Sequence, residues 1–166
     1  AKTDPNCSRP DVSDFVMRNL SFHDNHIHHT EGEGFYVGYS WYPSREVDCE
    51  GSPTTLYPHA IQGLRIYNNY IHDTGWDGLQ VGSATADVKV YANTIIRYGL
   101  EGVQYQTNGV QISASSTGEL YNNFIYDGVG AGVSFFGGGN NWLYNNVIVN
   151  TGSRGIYQND RDAKQG

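Results

Sequence analysis

The sequence predicts an all-β fold, a solenoid of about five stacked coils in a single domain, and three observations indicate it. A frame recurs in which an Asn is followed two residues later by Ile and nine residues later by Gly and an apolar residue. Short apolar runs alternate with period two, as strands do, and Gly, Asn, Asp and Thr separate them. No long stretch carries a helical pattern free of Gly and Asn. The five copies are Asn25/Ile27/Gly34, Asn69/Ile71/Gly78, Asn93/Ile95/Gly102, Asn123/Ile125/Gly132 and Asn146/Ile148/Gly155.

The spacing between copies predicts where extra chain is inserted. The Asn positions advance by 44, 24, 30 and 23 residues, so the base period is about two dozen residues with insertions after the first and third copies. We expect these insertions at residues 38–63 and 106–118, on one side of the solenoid, where solenoids often bind ligands. Residues 1–14 are expected to form an edge or loop and residues 160–166 a tail.

Over about residues 15–159, this repeat resembles the right-handed parallel β-helix of the pectate-lyase-like superfamily. In that family an Asn at one turn stacks into an internal ladder, which the resemblance implies here for Asn25, Asn69, Asn93, Asn123 and Asn146. The resemblance implies a fold and no single activity, because the fold hosts lyases, hydrolases, epimerases and inert spikes.

Charge and cysteine content narrow the partners and the compartment. A net charge of −7 makes nucleic acid and anionic membranes poor partners, and no apolar run is long enough to insert into a membrane. In a solenoid, Cys7 and Cys49 would lie on the same side one coil apart, so a disulfide is plausible and favours an extracellular or cell-surface setting. Two free thiols in a cytosolic protein are the alternative. Flanking domains or another chain are expected to cover the open solenoid ends.

An acidic row is the first candidate site. Glu33, Asp77 and Glu101 each precede the Gly of their copy and would stack at the strand spacing. Like charges on neighbouring strands are destabilising, so a functional role would explain why three acidic residues are stacked here. It could supply acid and base for glycoside cleavage, or it could bind Ca²⁺. Alternatively, these are solvated turn residues.

A basic row is the second candidate. His28 and His72 stack three residues after the ladder Asn, and Arg97 belongs to the next position. In a lyase, a histidine would take the α-proton of a uronic acid while Arg97 neutralised the carboxylate. The alternative is a stacked row of surface histidines.

Polar and aromatic residues suggest a groove beside the acidic row. The row two residues after the Gly would form its floor: Tyr36, Gln80 and Gln104. The first insertion would supply an aromatic and basic lip: Tyr39, Trp41, Tyr42 and Arg45. A groove along a rod suits an extended polysaccharide.

The sequence therefore predicts a secreted or cell-surface protein that binds an extended polysaccharide in a groove along the rod, and it leaves open whether the protein also cleaves the polymer as a hydrolase or a lyase. Calcium is the one cofactor that the acidic row suggests. A non-catalytic structural or adhesin segment of a larger extracellular protein is the alternative.

Overall fold

The computed structural model describes residues 6–40, 45–113, 115–137 and 139–159. Within these ranges the chain forms twenty short strands. In chain order they are β1 (Val16–Arg18), β2 (Ser21–His23), β3 (His26–Thr30), β4 (Phe35–Val37), β5 (Arg45–Cys49), β6 (Ser52–Leu56), β7 (Ala60–Gln62), β8 (Arg65–Tyr67), β9 (Tyr70–Thr74), β10 (Leu79–Val81), β11 (Ala84–Ala86), β12 (Val88–Tyr91), β13 (Thr94–Ile96), β14 (Val110–Ile112), β15 (Gly118–Tyr121), β16 (Phe124–Gly128), β17 (Val133–Phe136), β18 (Asn141–Tyr144), β19 (Val147–Thr151) and β20 (Ile156–Asn159).

Three parallel five-stranded sheets run along the molecule. Sheet B contains β2, β8, β12, β15 and β18, sheet C contains β3, β9, β13, β16 and β19, and sheet D contains β4, β10, β14, β17 and β20. A shorter sheet A contains β1, β7 and β11. Each coil passes through sheets B, C and D in turn, so the predicted solenoid of about five coils is confirmed. The part of the chain that the structure describes includes no helix long and apolar enough to cross a membrane.

The core is formed by rows of aliphatic side chains that stack from coil to coil. In sheet C, Ile71 pairs with Ile95 and Ile95 with Ile125. In sheet B, Ile66 pairs with Val90. All of these side chains are fully buried. Because side chains alternate along a strand, one face of each sheet enters this core and the other faces outward.

The predicted asparagine ladder is present between sheets B and C. The Oδ1 of Asn93 accepts hydrogen bonds from the backbone N–H and the Nδ2 of Asn69, at 3.1 and 2.9 Å. The same pair of bonds joins Asn25 to Asn69, Asn93 to Asn123 and Asn123 to Asn146. Buried amides are costly unless paired, and the stacking pairs them with one another.

The third coil departs from the predicted frame. Gly109, and not Gly102, occupies the position of Gly78, because β14 pairs with β10 in the register Leu79 to Val110. A Cβ on Gly109 would lie 2.6 Å from Ile125, as one on Gly78 would lie 2.4 Å from Ile95, whereas a Cβ on Gly102 would meet nothing. The glycines at positions 34, 78, 109 and 132 are therefore needed for close approach to the next coil, whereas a Cβ on Gly155, in the last coil, would meet nothing.

The insertions are correspondingly displaced. The second one lies between Arg97 and Asn108, and the predicted range 106–118 instead includes β14. The first insertion forms the antiparallel hairpin of β5 and β6 and then contributes β7 to sheet A. Both insertions adjoin sheet D, but at opposite ends of its strands and not at one shared corner.

Cys7 and Cys49 form the predicted disulfide, which joins the N-terminal segment to the end of β5. The bridge closes a loop with a sequence separation of 42 residues. A C7S/C49S variant is therefore expected to lose about 2–4 kcal/mol of unfolding free energy, because the unfolded chain regains the entropy of that loop. Urea unfolding of the two proteins measures the loss, and an unchanged midpoint would contradict it.

Candidate functional site

The outer face of sheet D is polar, but the chain itself covers it. Gln80 and Gln111 pair across β10 and β14, and both are buried, with 2% and 4% of their surface exposed. The Nε2 of Gln80 donates to the Oγ of Ser40, which belongs to the first insertion. In the orientation that satisfies its neighbours, the Gln111 amide accepts from Gln80 and donates to the carbonyl oxygen of Tyr105, in the second insertion. Gln80 thus lies on the outer face of sheet D as the repeat predicts, but both insertions close over it.

Asp77 is the central carboxyl group of this covered face. Its side chain is fully buried at the entrance to β10. Its Oδ1 accepts from the backbone N–H of Asn108 at 2.6 Å and from the Asn108 Nδ2 at 3.1 Å. Burial, with a smaller contribution from the negative charge of Glu33, raises the pKa of Asp77 to about 8 against the opposing effect of these hydrogen bonds. The carboxyl is therefore largely protonated at neutral pH.

The structure keeps Glu33 and Asp77 together and separates Glu101 from their row. The backbone N–H of Gly34 donates to the backbone carbonyl oxygen of Asp77. Glu33, the residue before Gly34, and Asp77 therefore lie at the same turn of adjacent coils. Asn108 stands where Glu101 was expected, because it precedes Gly109. Glu101 lies on the neighbouring turn, exposed, where its Oε2 accepts from the indole Nε1 of Trp76 at 3.2 Å.

Gln104, predicted for the groove floor, is likewise displaced. It is exposed within the second insertion, and Gln111 takes its place opposite Gln80. Tyr36 does pair with Gln80, and its hydroxyl accepts from the backbone N–H of Ser40 at 3.2 Å. Tyr39 belongs to the first insertion, and its backbone carbonyl oxygen accepts a hydrogen bond from the Ser83 hydroxyl.

The remaining lip residues cannot be placed. Trp41 and Tyr42 lie outside the described residues, as does the side chain of Arg45.

A histidine cluster occupies the outer face of sheet C at its first two strands. Its members are His26, His28, His29 and His72. The rings of His28 and His72 stack with centroids 5.2 Å apart, as the register predicted. The Nε2 atoms of His26 and His72 are 2.8 Å apart, as are the Nδ1 atoms of His28 and His29.

Asp73 and Arg97 form a charge network beside the histidine cluster. Asp73 accepts from the Nδ1 of His72 at 2.6 Å, and Arg97 donates to both Asp73 oxygens at 2.6 Å. These bonds hold the pKa of Asp73 well below its usual range, the Arg97 contribution being the largest. Asp73, the fourth residue of β9, and Arg97, directly after β13, belong to a row of positive-φ residues along the end of sheet C.

A family model described as "right handed beta helix region" matches residues 17–164. The chain belongs to the right-handed β-helix family. No curated protein and no solved structure matches the chain significantly.

Within the described ranges, no three His, Cys, Asp or Glu side chains are grouped so as to hold a metal ion. The calcium site predicted from Glu33, Asp77 and Glu101 is not formed by those three residues, because Asn108 replaces Glu101 in the row. A neutral buried carboxyl and a hydrogen-bonded imidazole cluster remain, and both are suited to proton transfer.

Sequence reasoning on the β-helix missed Asn108 and Gln111. The sequence contains two similar segments, Gly102-Val-Gln-Tyr and Gly109-Val-Gln-Ile, and only the first keeps the nine-residue spacing. The inward position favours the second segment, because Ile112 is buried against the core while Tyr105 is 65% exposed. The identity of that inward residue is the signal that could have selected the correct register.

Proposed function

We propose that this β-helix binds an extended polysaccharide beside sheet D and cleaves it, with Asp77 as the proton donor. The observation that carries the proposal is the buried Asp77 carboxyl, whose pKa of about 8 keeps it protonated at neutral pH. A general acid must hold its proton at the working pH, and enzymes commonly raise a carboxyl pKa by burial for this purpose.

The chemistry proposed is hydrolysis. Asp77 would donate its proton to the glycosidic oxygen as the bond to the anomeric carbon breaks. Glu33 would take a proton from the water that attacks that carbon. The two groups suit these opposite roles because only Asp77 is fully buried, whereas Glu33 is half-buried.

Trp76 and Glu101 support sugar binding next to Asp77. Trp76 is half-buried, and its indole is hydrogen-bonded to the exposed Glu101. Aromatic rings pack on sugar faces, while carboxylates accept hydrogen bonds from hydroxyl groups. We propose that Trp76 and Glu101 form the outer edge of the site.

For a substrate to reach Asp77, the parts of the two insertions that cover sheet D have to move. Ser40 and Tyr105 contact Gln80 and Gln111 from the two insertions. Loops that carry binding residues commonly open and close over an enzyme site. We propose that the part of the first insertion that contains Ser40 opens to admit the polymer. The Cys7–Cys49 disulfide supports an extracellular location for the reaction.

A panel of neutral and acidic polysaccharides tests the proposal. Hydrolysis releases new reducing ends, whereas elimination produces an absorbing unsaturated uronate. The wild type is expected to release reducing ends from at least one polymer, and D77N to lose at least about a hundredfold in turnover while it still binds. D87N is the matched control, because Asp87 is an exposed carboxylate paired with Arg65 on sheet B.

A non-catalytic scaffold is the alternative, and one observation favours it. Five aromatic rings stack along the outer face of sheet B, with neighbouring centroids 4.7 to 5.1 Å apart, and stiffen the rod: His23, Tyr67, Tyr91, Tyr121 and Tyr144. A panel without turnover on any polymer would support this alternative and contradict the enzyme.

A further inference from the structure

We propose that the histidine cluster on sheet C, with Arg97, is an oxyanion-binding site that takes up a sulfate or carboxylate group together with protons in mildly acidic solution. It lies outside the sheet D site and does not depend on Asp77 or on cleavage.

The four rings are close enough to contact one ligand. His26 lies 4.7 Å from His28 and 5.0 Å from His72, and His28 lies 5.1 Å from His29, measured between ring centroids. His26, His28 and His29 are exposed, so solvent anions reach them directly. No other part of the described chain gathers four imidazoles.

The internal hydrogen bonds of the cluster limit the positive charge that it can hold. Each imidazole–imidazole bond, His26 to His72 and His28 to His29, needs one neutral nitrogen as acceptor. The single carboxylate at the cluster, Asp73, is already bonded to Arg97 and to His72. The charge of Arg97 is thus matched by Asp73, and no anion remains to balance further protons.

Protonation changes the cluster from acceptor to donor. Doubly protonated rings offer only N–H groups, so the two imidazole bonds break and their nitrogens become available to a ligand. Loss of some water to the neighbouring rings and the charges of His26, His29 and His72 hold the pKa of His28 below its ordinary value. An oxyanion among the rings removes that repulsion, which couples its binding to proton uptake.

The surrounding groups do not supply this counterion. Tyr70, on β9, stacks on His26 and offers a phenol rather than a carboxylate. On the far side of Arg97, Asp127 acts on the guanidinium, and its Oδ1 accepts from Asn150. An external anion therefore completes the charge balance of the cluster.

The oxyanion could be free or borne by a sugar. Beyond the cluster, the outer face of sheet C continues with exposed apolar rings and side chains: Tyr70, Phe124 and Tyr126. These would pack on a sugar ring next to a bound sulfate or carboxylate. A sulfated or carboxylated glycan would thus gain contacts that an inorganic ion lacks.

Histidine titration by NMR tests the site in the full chain. Sodium sulfate, compared with sodium chloride at equal ionic strength, is expected to raise the apparent pKa of the cluster histidines by about half a unit or more. His23 and His59 should not respond, because His23 is paired with Asp24 and His59 is buried against a backbone carbonyl. Equal shifts in both salts, or at all six histidines, would overturn the proposal.

Variants and glycans complete the test. H26Q/H28Q should abolish the sulfate effect, whereas H23Q, the matched control on sheet B, should retain it; a retained effect in the double variant overturns the site. A sulfated oligosaccharide should bind at about pH 5 at least tenfold more tightly than at about pH 7.5. If it exceeds inorganic sulfate, the ligand is a glycan; if it only equals it, the ligand is the free oxyanion. Binding by D77N separates this result from the proposed cleavage.

Discussion

Replacing Asp77 by Asn is expected to make the protein progressively more stable than the wild type as the pH rises from about 5 to about 8. Asp77 is fully buried, and its pKa is raised to about 8, chiefly by burial. In the unfolded chain its pKa returns to about 3.9. Between these values the folded protein holds a proton that the unfolded chain releases.

The sign follows from that difference in bound protons. The stability contributed by a protonated Asp77 is fully present below the unfolded pKa and is lost as the pH rises through the folded pKa. The slope attributable to this residue is about −1.4 kcal/mol per pH unit, and it levels off above about pH 8. Asn has the shape of the protonated carboxyl and does not titrate, so D77N lacks the slope.

Urea unfolding of both proteins at several pH values measures this effect. The difference in unfolding free energy, D77N minus wild type, isolates Asp77 from the other carboxylates. Measurements above about pH 5 avoid the acid loss of Asp73, whose lowered pKa stabilises the fold until it is protonated. Parallel curves for the two proteins would mean that Asp77 is ionised in the folded state, and the proposed proton donor would be lost with it.

The parts of the fold that sequence predicted are those where one side chain has a single workable environment. A ladder Asn needs another Asn above and below it, so the repeat revealed both the turn and its register. The Ile two residues later is equally constrained by the core. The pairing of Cys7 with Cys49 was also predicted, although Cys49 reaches Cys7 from the β5–β6 hairpin and not from a coil strand.

The third coil could not be predicted in this way because spacing and packing gave different answers. Spacing selected Gly102, but the space beside Ile125 admits only the glycine at 109. Residues 99–101 still bond to the turn of the second coil, with the Glu101 N–H donating to the Gly75 carbonyl, before the chain loops out. A sequence pattern does not reveal how far a chain follows its neighbour before it departs.

The covering of sheet D was also beyond the sequence. An outward polar row predicts exposure unless another segment lies over it. Here the insertions contribute Ser40 and Tyr105, and neither carries a motif. The exposed row on sheet C was placed correctly, because the stacking of His28 on His72 needs only the coil register.

Replacing Asn93 by Ala is expected to lower the free energy of unfolding by about 3–5 kcal/mol. Asn93 is 1% exposed, in the middle of the ladder. Its Nδ2 donates to the Ile66 carbonyl at 2.9 Å and to the Oδ1 of Asn123 at 3.0 Å. Its Oδ1 accepts both the N–H and the Nδ2 of Asn69. Alanine leaves these buried partners without hydrogen bonds, and each unsatisfied group costs about 1–3 kcal/mol.

Asn25 provides the matched control at the end of the same ladder. It is exposed and donates to the Oδ1 of Asn69, so water can replace the bonds that N25A removes. N25A is expected to cost about 1 kcal/mol, several times less than N93A. Urea unfolding followed by circular dichroism compares the two variants with the wild type. Equal losses would show that the ladder acts as a set of independent surface bonds. A larger loss at Asn93 would instead establish the buried amide stack as the feature that holds successive coils in register, on which the alignment of Glu33 with Asp77 and of His28 with His72 depends.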